Sequence, residues 1–333
     1  MHSKVAVRRA LAADYGDRRM TRVRADFATR NSAMLKRYCF AAILALCLTT
    51  ALTAQDDQTI VVDGRSMRVR TLGVFDVRRR PVVVFESGAG TGINTWSAVL
   101  QDVSAFATVV AYDRAGIGGS DDDGQPPTPQ HVARTLRALL ASTGVEPPYV
   151  LVGHSWGGLL IRMFAALYPA DVAGLVYVDS TDPRSPEQNA AYLRTSGYTD
   201  EGILEFMERQ RQQMSAFVRS RTGPYRAEME VIQAAERSGF AEFRALPPPP
   251  SVPAAILVSN RLDPPMWQGR PCEPAACHEH WMRARVQALR SLAPVGGGTV
   301  VTLADRSGHE IQRDQPALVV SAILRVVSAQ SSR

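Results

Sequence analysis

The chain has 333 residues, of which 45% are hydrophobic and 21% charged, and a formal net charge of +6. Such a balance would suit a protein that binds nucleic acid or membrane surfaces, but the charge is unevenly placed. Residues 1–54 hold ten Lys or Arg against three Asp or Glu, which leaves 28 basic and 29 acidic residues, a net of −1, in the other 279. Those 279 residues fit one large core with no charge bias toward nucleic acid.

Residues 1–33 are Arg-rich and aperiodic, and read as a basic leader ahead of the natural start at Met34. Met34-Leu35-Lys36-Arg37 opens a basic region, Tyr38 to Leu52 is an apolar run, and Thr53-Ala54 offers a cleavage site before Gln55. This is the layout of a secretory signal peptide over 34–54. The apolar run is short for a spanning helix, so a membrane association is expected only if the segment stays uncleaved. Leu46 precedes Cys47, where a lipoprotein would carry a small residue. A periplasmic or secreted location is expected.

The elements then follow in order. Thr59-Ile60-Val61-Val62 and Met67 to Leu72 predict antiparallel strands around Asp63-Gly64, a hairpin signal. Pro81-Val82-Val83-Val84-Phe85 predicts a strand, leading into the glycine-rich Glu86-Ser87-Gly88-Ala89-Gly90-Thr91-Gly92. Val109 to Tyr112 is the next strand. Asp113-Arg114-Ala115-Gly116-Ile117-Gly118-Gly119-Ser120 after it reads as a structural loop, with local hydrogen bonds or an ion pair at Asp113 and Arg114. Asp121 to Pro129 is an acidic, proline-rich, solvated loop.

Tyr149-Val150-Leu151-Val152 predicts a buried strand and Gly158 to Leu167 a helix. Between them stands Gly153-His154-Ser155-Trp156-Gly157, of the form G-x-S-x-G. Strand before and helix after is the context that a nucleophile elbow requires. The serine sits on a strained turn, the glycines leave room for it, and the helix N-terminus favours an oxyanion there.

Gly174 to Val178 predicts a strand that ends at Asp179. Residues 180–250 form a long insertion with helical character over Glu201–Arg219 and Tyr225–Arg244, returned by the stiff link Pro247 to Pro250. Met207, Met214 and Phe217 in it are candidates to face a substrate, but Met and Phe at helical spacing are more often packing residues. Ala255 to Ser259 predicts another strand, with Asp263 in the turn Leu262-Asp263-Pro264-Pro265. Helical sequence around Trp281 to Leu292, a last strand within Gly296–Leu303, the loop Ala304 to His309 and a helix over Pro316–Val327 complete the chain. Strands alternating with helices from Pro81 onward argue for an α/β fold: a mostly parallel sheet with helices on both faces.

These segments, in this order, resemble the α/β-hydrolase superfamily, with the insertion at the place of a helical cap. The resemblance implies Ser155 as nucleophile and His309, in the loop after the last strand, as base. The chain has Ser87-Gly88 where the family carries His-Gly or a similar turn, which keeps the backbone role: Ala89 and Trp156 N–H would form the oxyanion hole. The order Ser, acid, His admits two aspartates. The family's usual position favours Asp263, with Asp179 as the alternative. Dehalogenases and epoxide hydrolases resemble the chain but place Asp at the elbow, where Ser155 stands. The implied activity is hydrolysis of a small-molecule carboxylic ester through an acyl-enzyme, with no metal or organic cofactor. An amidase or aminopeptidase, an acyltransferase, and a non-catalytic binding protein on the same fold stay open.

Past residue 54 the cysteines are Cys272 and Cys277. An even count in an exported chain favours a disulfide. Free thiols, or a metal site with His278 and His280, remain as alternatives, although Cys-x4-Cys-His-x-His matches no common zinc spacing.

Overall fold

The computed structural model describes residues 57–73, 81–294 and 298–330, with only the backbone at 265 and 266. The leader 1–33, the signal peptide 34–54 with Cys39 and Cys47, and the Gln55 start lie outside the described residues.

Eight strands form one sheet: β1 (Gln58–Val62), β2 (Arg65–Leu72), β3 (Val82–Glu86), β4 (Thr108–Tyr112), β5 (Tyr149–His154), β6 (Val172–Val178), β7 (Ala254–Ser259) and β8 (Val300–Ala304). Their spatial order is β1-β2-β4-β3-β5-β6-β7-β8. Pairing is antiparallel between β1 and β2 and between β2 and β4, and parallel in the rest. The expected hairpin and mostly parallel sheet are both present.

The strand sequences explain the arrangement. β3, β4, β5 and β7 are buried at every residue, as near-continuous apolar runs in parallel sheets are. Alternate side chains then supply two cores. Val84, Val110 and Leu151 face α2 (Pro129–Thr143) and α3 (Trp156–Leu167), whereas Val83, Val109 and Val152 face α1 (Ser97–Ser104) and α10 (Pro316–Ser328). Helix α3 is buried from Trp156 through Ala165.

Between β6 and β7 lie α4 (Pro186–Thr195), α5 (Asp200–Arg219), α6 (Gly223–Arg237) and α7 (Ala241–Arg244). Sequence alone suggests one helix over 225–244. Two are observed, because Gly239 (φ +59°) and Phe240 (φ +56°) leave the helical backbone. Helix α4 starts with a capping box formed by Ser185 and Gln188. Of α5 only Ile203 and Val218 are buried, while α6 buries Glu228, Met229, Ile232 and Gln233. Helix α8 (Pro274–Arg290) begins earlier than Trp281, with Pro274 in its first turn. The short α9 (Ile311–Asp314) leads into α10. No described helix is long and apolar enough to cross a membrane.

The strand order reverses between β3 and β5, since β4 lies on one side of β3 and β5 to β8 on the other. The crevice at the carboxyl ends of such strands is where open α/β sheets bind ligands. Ser155 follows β5 and the glycine-rich turn follows β3.

Candidate active site

Ser155 has φ +52° and ψ −120°, a strained conformation for a residue with a side chain, and it caps the N-terminus of α3. Its backbone is held on both sides: its N–H donates to Val178 O at 3.2 Å and its carbonyl accepts from Gly158 and Thr181 N–H at 3.0 Å each. A Cβ at Gly153 would lie 2.5 Å from the Gly157 carbonyl oxygen, and one at Gly157 would lie 2.6 Å from that of Ser87. Gly153 is therefore needed for the elbow to close on itself, and Gly157 for it to pack against the end of β3 and the turn after it.

His309 stands in the loop after β8. Its Nδ1–H donates to Asp179 Oδ2 at 2.7 Å. Asp179, the residue after β6, has φ +44° and is almost wholly buried, whereas the His309 side chain is half exposed. The other carboxylate oxygen accepts from Ser259 N–H at 2.6 Å and lies 3.2 Å from Arg285 Nη2. Burial pushes the Asp179 pKa upward, but the His309 hydrogen bond, the Arg285 charge and the Ser259 N–H outweigh it and bring it down to about 2.

This corrects the preference for Asp263. That residue is exposed, and His309 Nδ1 is bonded to Asp179. Two contacts on Asp179 come from β7 and α8, which the sequence does not show to be near β6. Arg285 itself is buried against Asp179, Asp182 and the Trp281 ring. The Ser155 hydroxyl makes no hydrogen bond with any described residue; nucleophile–base contacts often tighten only when substrate binds.

His154 carries no signal in sequence beyond its place in the elbow. Its Nε2–H donates to the His309 carbonyl at 3.0 Å, and the two rings lie 4.6 Å apart. Its Nδ1 is buried without a partner. Burial first, and the neighbouring His309 second, lower its pKa to about 4, so it is a neutral prop for the His309 loop. One ligand atom each of His154, His309 and Glu310 lies within 4.8 Å of the others.

The turn after β3 carries Ala89. A Cβ on Gly88 would lie 3.3 Å from Ser155 Cβ, so this turn and the elbow are in contact. Among the described residues, no hydrogen bond uses the N–H of Ala89 or Trp156. Beyond Ile93 N–H at 2.8 Å and Arg68 Nη1 of β2 at 3.2 Å, the Asp113 carboxylate has one local partner, accepting from Gly119 N–H at 2.9 Å. The Arg114 side chain has none: it reaches Glu86 and the distant Glu228, each at 2.6 Å.

A cavity of about 1700 Å³ lies between the insertion and the sheet, with Asp179 and His309 in its wall. Met207, Met214 and Phe217, expected to be packing residues, line it as well. The Cys272 and Cys277 sulfurs are at bonding distance, with Cα atoms 5.5 Å apart. His278 contacts Asn260 and His280 contacts Ser196, so the four residues do not converge on a metal.

Residues 83–322 match the model of the alpha/beta hydrolase family. An AB hydrolase superfamily protein of Gibberella zeae is 25% identical over 280 residues, which cover 75% of this chain and 87% of that one. The enol-lactonase of Burkholderia xenovorans superposes with a TM-score of 0.54 at 19% identity, over 81% of this chain and 100% of that one. The epoxide hydrolase CorEH does so with a TM-score of 0.50 at 15% identity, over 82% and 98%. At such identities these two structures speak for the fold alone.

Proposed function

The chain belongs to the alpha/beta hydrolase family, and from that premise we infer that it is an exported serine hydrolase acting on a small-molecule carboxylic ester. The observation that carries this reading is the 2.7 Å hydrogen bond from His309 to buried Asp179, beside a strained Ser155 at the strand-to-helix turn.

In this reading Ser155 Oγ attacks the acyl carbon as His309 Nε2 takes its proton. Asp179 fixes the imidazole tautomer and stabilises the imidazolium. The N–H groups of Ala89 and Trp156 hold the negative oxygen of the tetrahedral intermediate. His309 returns the proton to the leaving alkoxide, and the same sequence with water frees the acid. The insertion 180–250 serves as a cap whose cavity takes the acyl part. An epoxide hydrolase would need a carboxylate at the elbow, where this chain has Ser155. Export rests on the pattern of residues 34–54, and the Cys272–Cys277 pair fits an oxidising compartment.

Labelling the exported protein with a fluorophosphonate and reading its intact mass tests this. One probe should add to a chain that begins near Gln55 and lacks two thiol hydrogens, and Ser155→Ala should take up none and hydrolyse no aryl ester. Equal labelling or turnover in Ser155→Ala would remove Ser155 from the mechanism.

A further inference from the structure

Arg114 is almost fully enclosed, with one carboxylate on each side. Nε donates to Glu228 Oε1 at 2.6 Å and Nη2 reaches Glu228 Oε2 at 3.1 Å. Nη1 donates to Glu86 Oε1 at 2.6 Å, and Tyr112 OH donates to the other Glu86 oxygen. The remaining contacts go to main chain: Nη1 to Ser87 O at 2.8 Å and Nη2 to Gly88 O at 2.7 Å. Glu228, on α6 of the insertion, also accepts from Gly90 N–H at 2.7 Å. The Tyr225 ring of the same helix lies against Gly90, where a Cβ would come within 2.9 Å of Tyr225 Cγ.

The peptide bond gives these contacts a meaning. Gly88 C=O and Ala89 N–H belong to one planar trans unit and point in opposite directions. Drawing the carbonyl to Arg114, at a shorter distance than the Thr91 N–H and hydroxyl that donate to the same oxygen at 3.3 and 3.0 Å, therefore helps to fix where the Ala89 N–H points. A cation donating into that carbonyl also polarises the peptide and strengthens its N–H as a donor. Stability does not call for such a cluster, because apolar replacements of buried ion networks are often neutral or stabilising.

We propose that Arg114 and Glu228 are positioning residues that aim the Ala89 N–H at the developing oxyanion, so that the insertion helix α6 sets the strength of the oxyanion hole. The proposal rests on the serine-hydrolase reading. It makes the insertion a working part of the hole as well as a wall of the cavity.

Steady-state kinetics on an aryl ester, fluorophosphonate labelling rates, and the amide resonances of Ala89 and Gly90 test it in the full mature protein. Glu228→Gln keeps the volume and loses the charge; its kcat should fall by about 10- to 100-fold with KM nearly unchanged. Labelling should slow in parallel, and both amide resonances should shift. Arg114→Lys keeps the charge and loses the fork; it should show the same split and serves if Glu228→Gln does not fold. Arg226→Ala, which breaks an exposed pair with Glu230 on the same helix, should change none of these. A kcat within about twofold of wild type, or a fall in kcat with the Ala89 resonance unmoved, overturns the proposal. If wild type is neither labelled nor active on esters, the serine-hydrolase reading fails; unmoved Ala89 resonances in the variants then overturn the positioning too.

Discussion

Two buried ionic clusters flank the elbow, and they are built alike. In one, Arg285 lies between Asp179 and Asp182, at 3.2 and 3.7 Å; in the other, Arg114 lies between Glu86 and Glu228, at 2.6 Å from each. They differ in what remains free. Asp179 keeps one oxygen for His309. Glu86 and Glu228 are engaged at both oxygens, by Arg114, Tyr112 and Gly90. The first cluster delivers negative charge to the site, and the second delivers backbone direction. An Arg between two carboxylates is thus no guide to role; the role follows from which acceptor is left over.

The comparison breaks most sharply at Asp179. Asp179→Asn should lower kcat by roughly a thousandfold or more, because the imidazole loses its orientation and its counter-charge. Asp263→Asn should stay within about twofold. Turnover numbers of the two variants decide, and the reverse order would return the acid to the loop after β7.

A smaller effect is expected one residue further out. Arg285→Met removes a charge that holds the Asp179 pKa down, so that pKa should rise. Loss of one partner of a buried pair should cost about 3 kcal/mol of stability, and kcat should fall by about tenfold. Denaturant titration and kinetics measure both. A stability loss with unchanged kcat would make Arg285 a structural counter-ion only.

The smallest effect on activity is on acid tolerance. His154 titrates near 4 in the folded chain against an ordinary 6.5. The unfolded chain therefore takes up a proton first, and stability should fall as pH drops from about 6.5 to 4, by on the order of 3 kcal/mol. Asp179 has its pKa lowered to about 2; its contribution is complete above about pH 4 and is lost as pH falls from there to about 2. Melting curves across this range should show both steps. His154→Gln should flatten the upper one and Asp179→Asn the lower one.

What the sequence could reveal follows from how local each signal is. The elbow, the turn after β3 and the parallel strands are written in contiguous residues, because steric need for glycine and burial on both faces leave local marks. The acid is not so written. Asp179 and Asp263 both follow strands, and what separates them is Ser259 N–H and Arg285, 80 and 106 residues downstream of Asp179. The Arg114 to Glu228 contact crosses 114 residues, so the loop motif that contains Arg114 looks self-sufficient until the insertion folds onto it. The single helix expected over 225–244 failed at one glycine, where room beside Pro186 matters more than propensity.

The unequal burial of α5 and α6 bears on how such a protein can acquire new substrates. Helix α5 sinks only Ile203 and Val218, yet Met207, Met214 and Phe217 on it face the cavity. Met214 also packs against the main core and Met207 against the cluster of Tyr192, Leu193 and Ile203, so it is the exposed positions of this helix that can drift, by mutation or in a laboratory library, with little penalty to folding. Helix α6 has no such freedom, since Tyr225 and Glu228 grip the turn after β3. Recombination that swaps the whole of 180–250 between relatives would disturb that turn, whereas a graft confined to 200–219 would change which molecules enter and leave the reacting corner as it was.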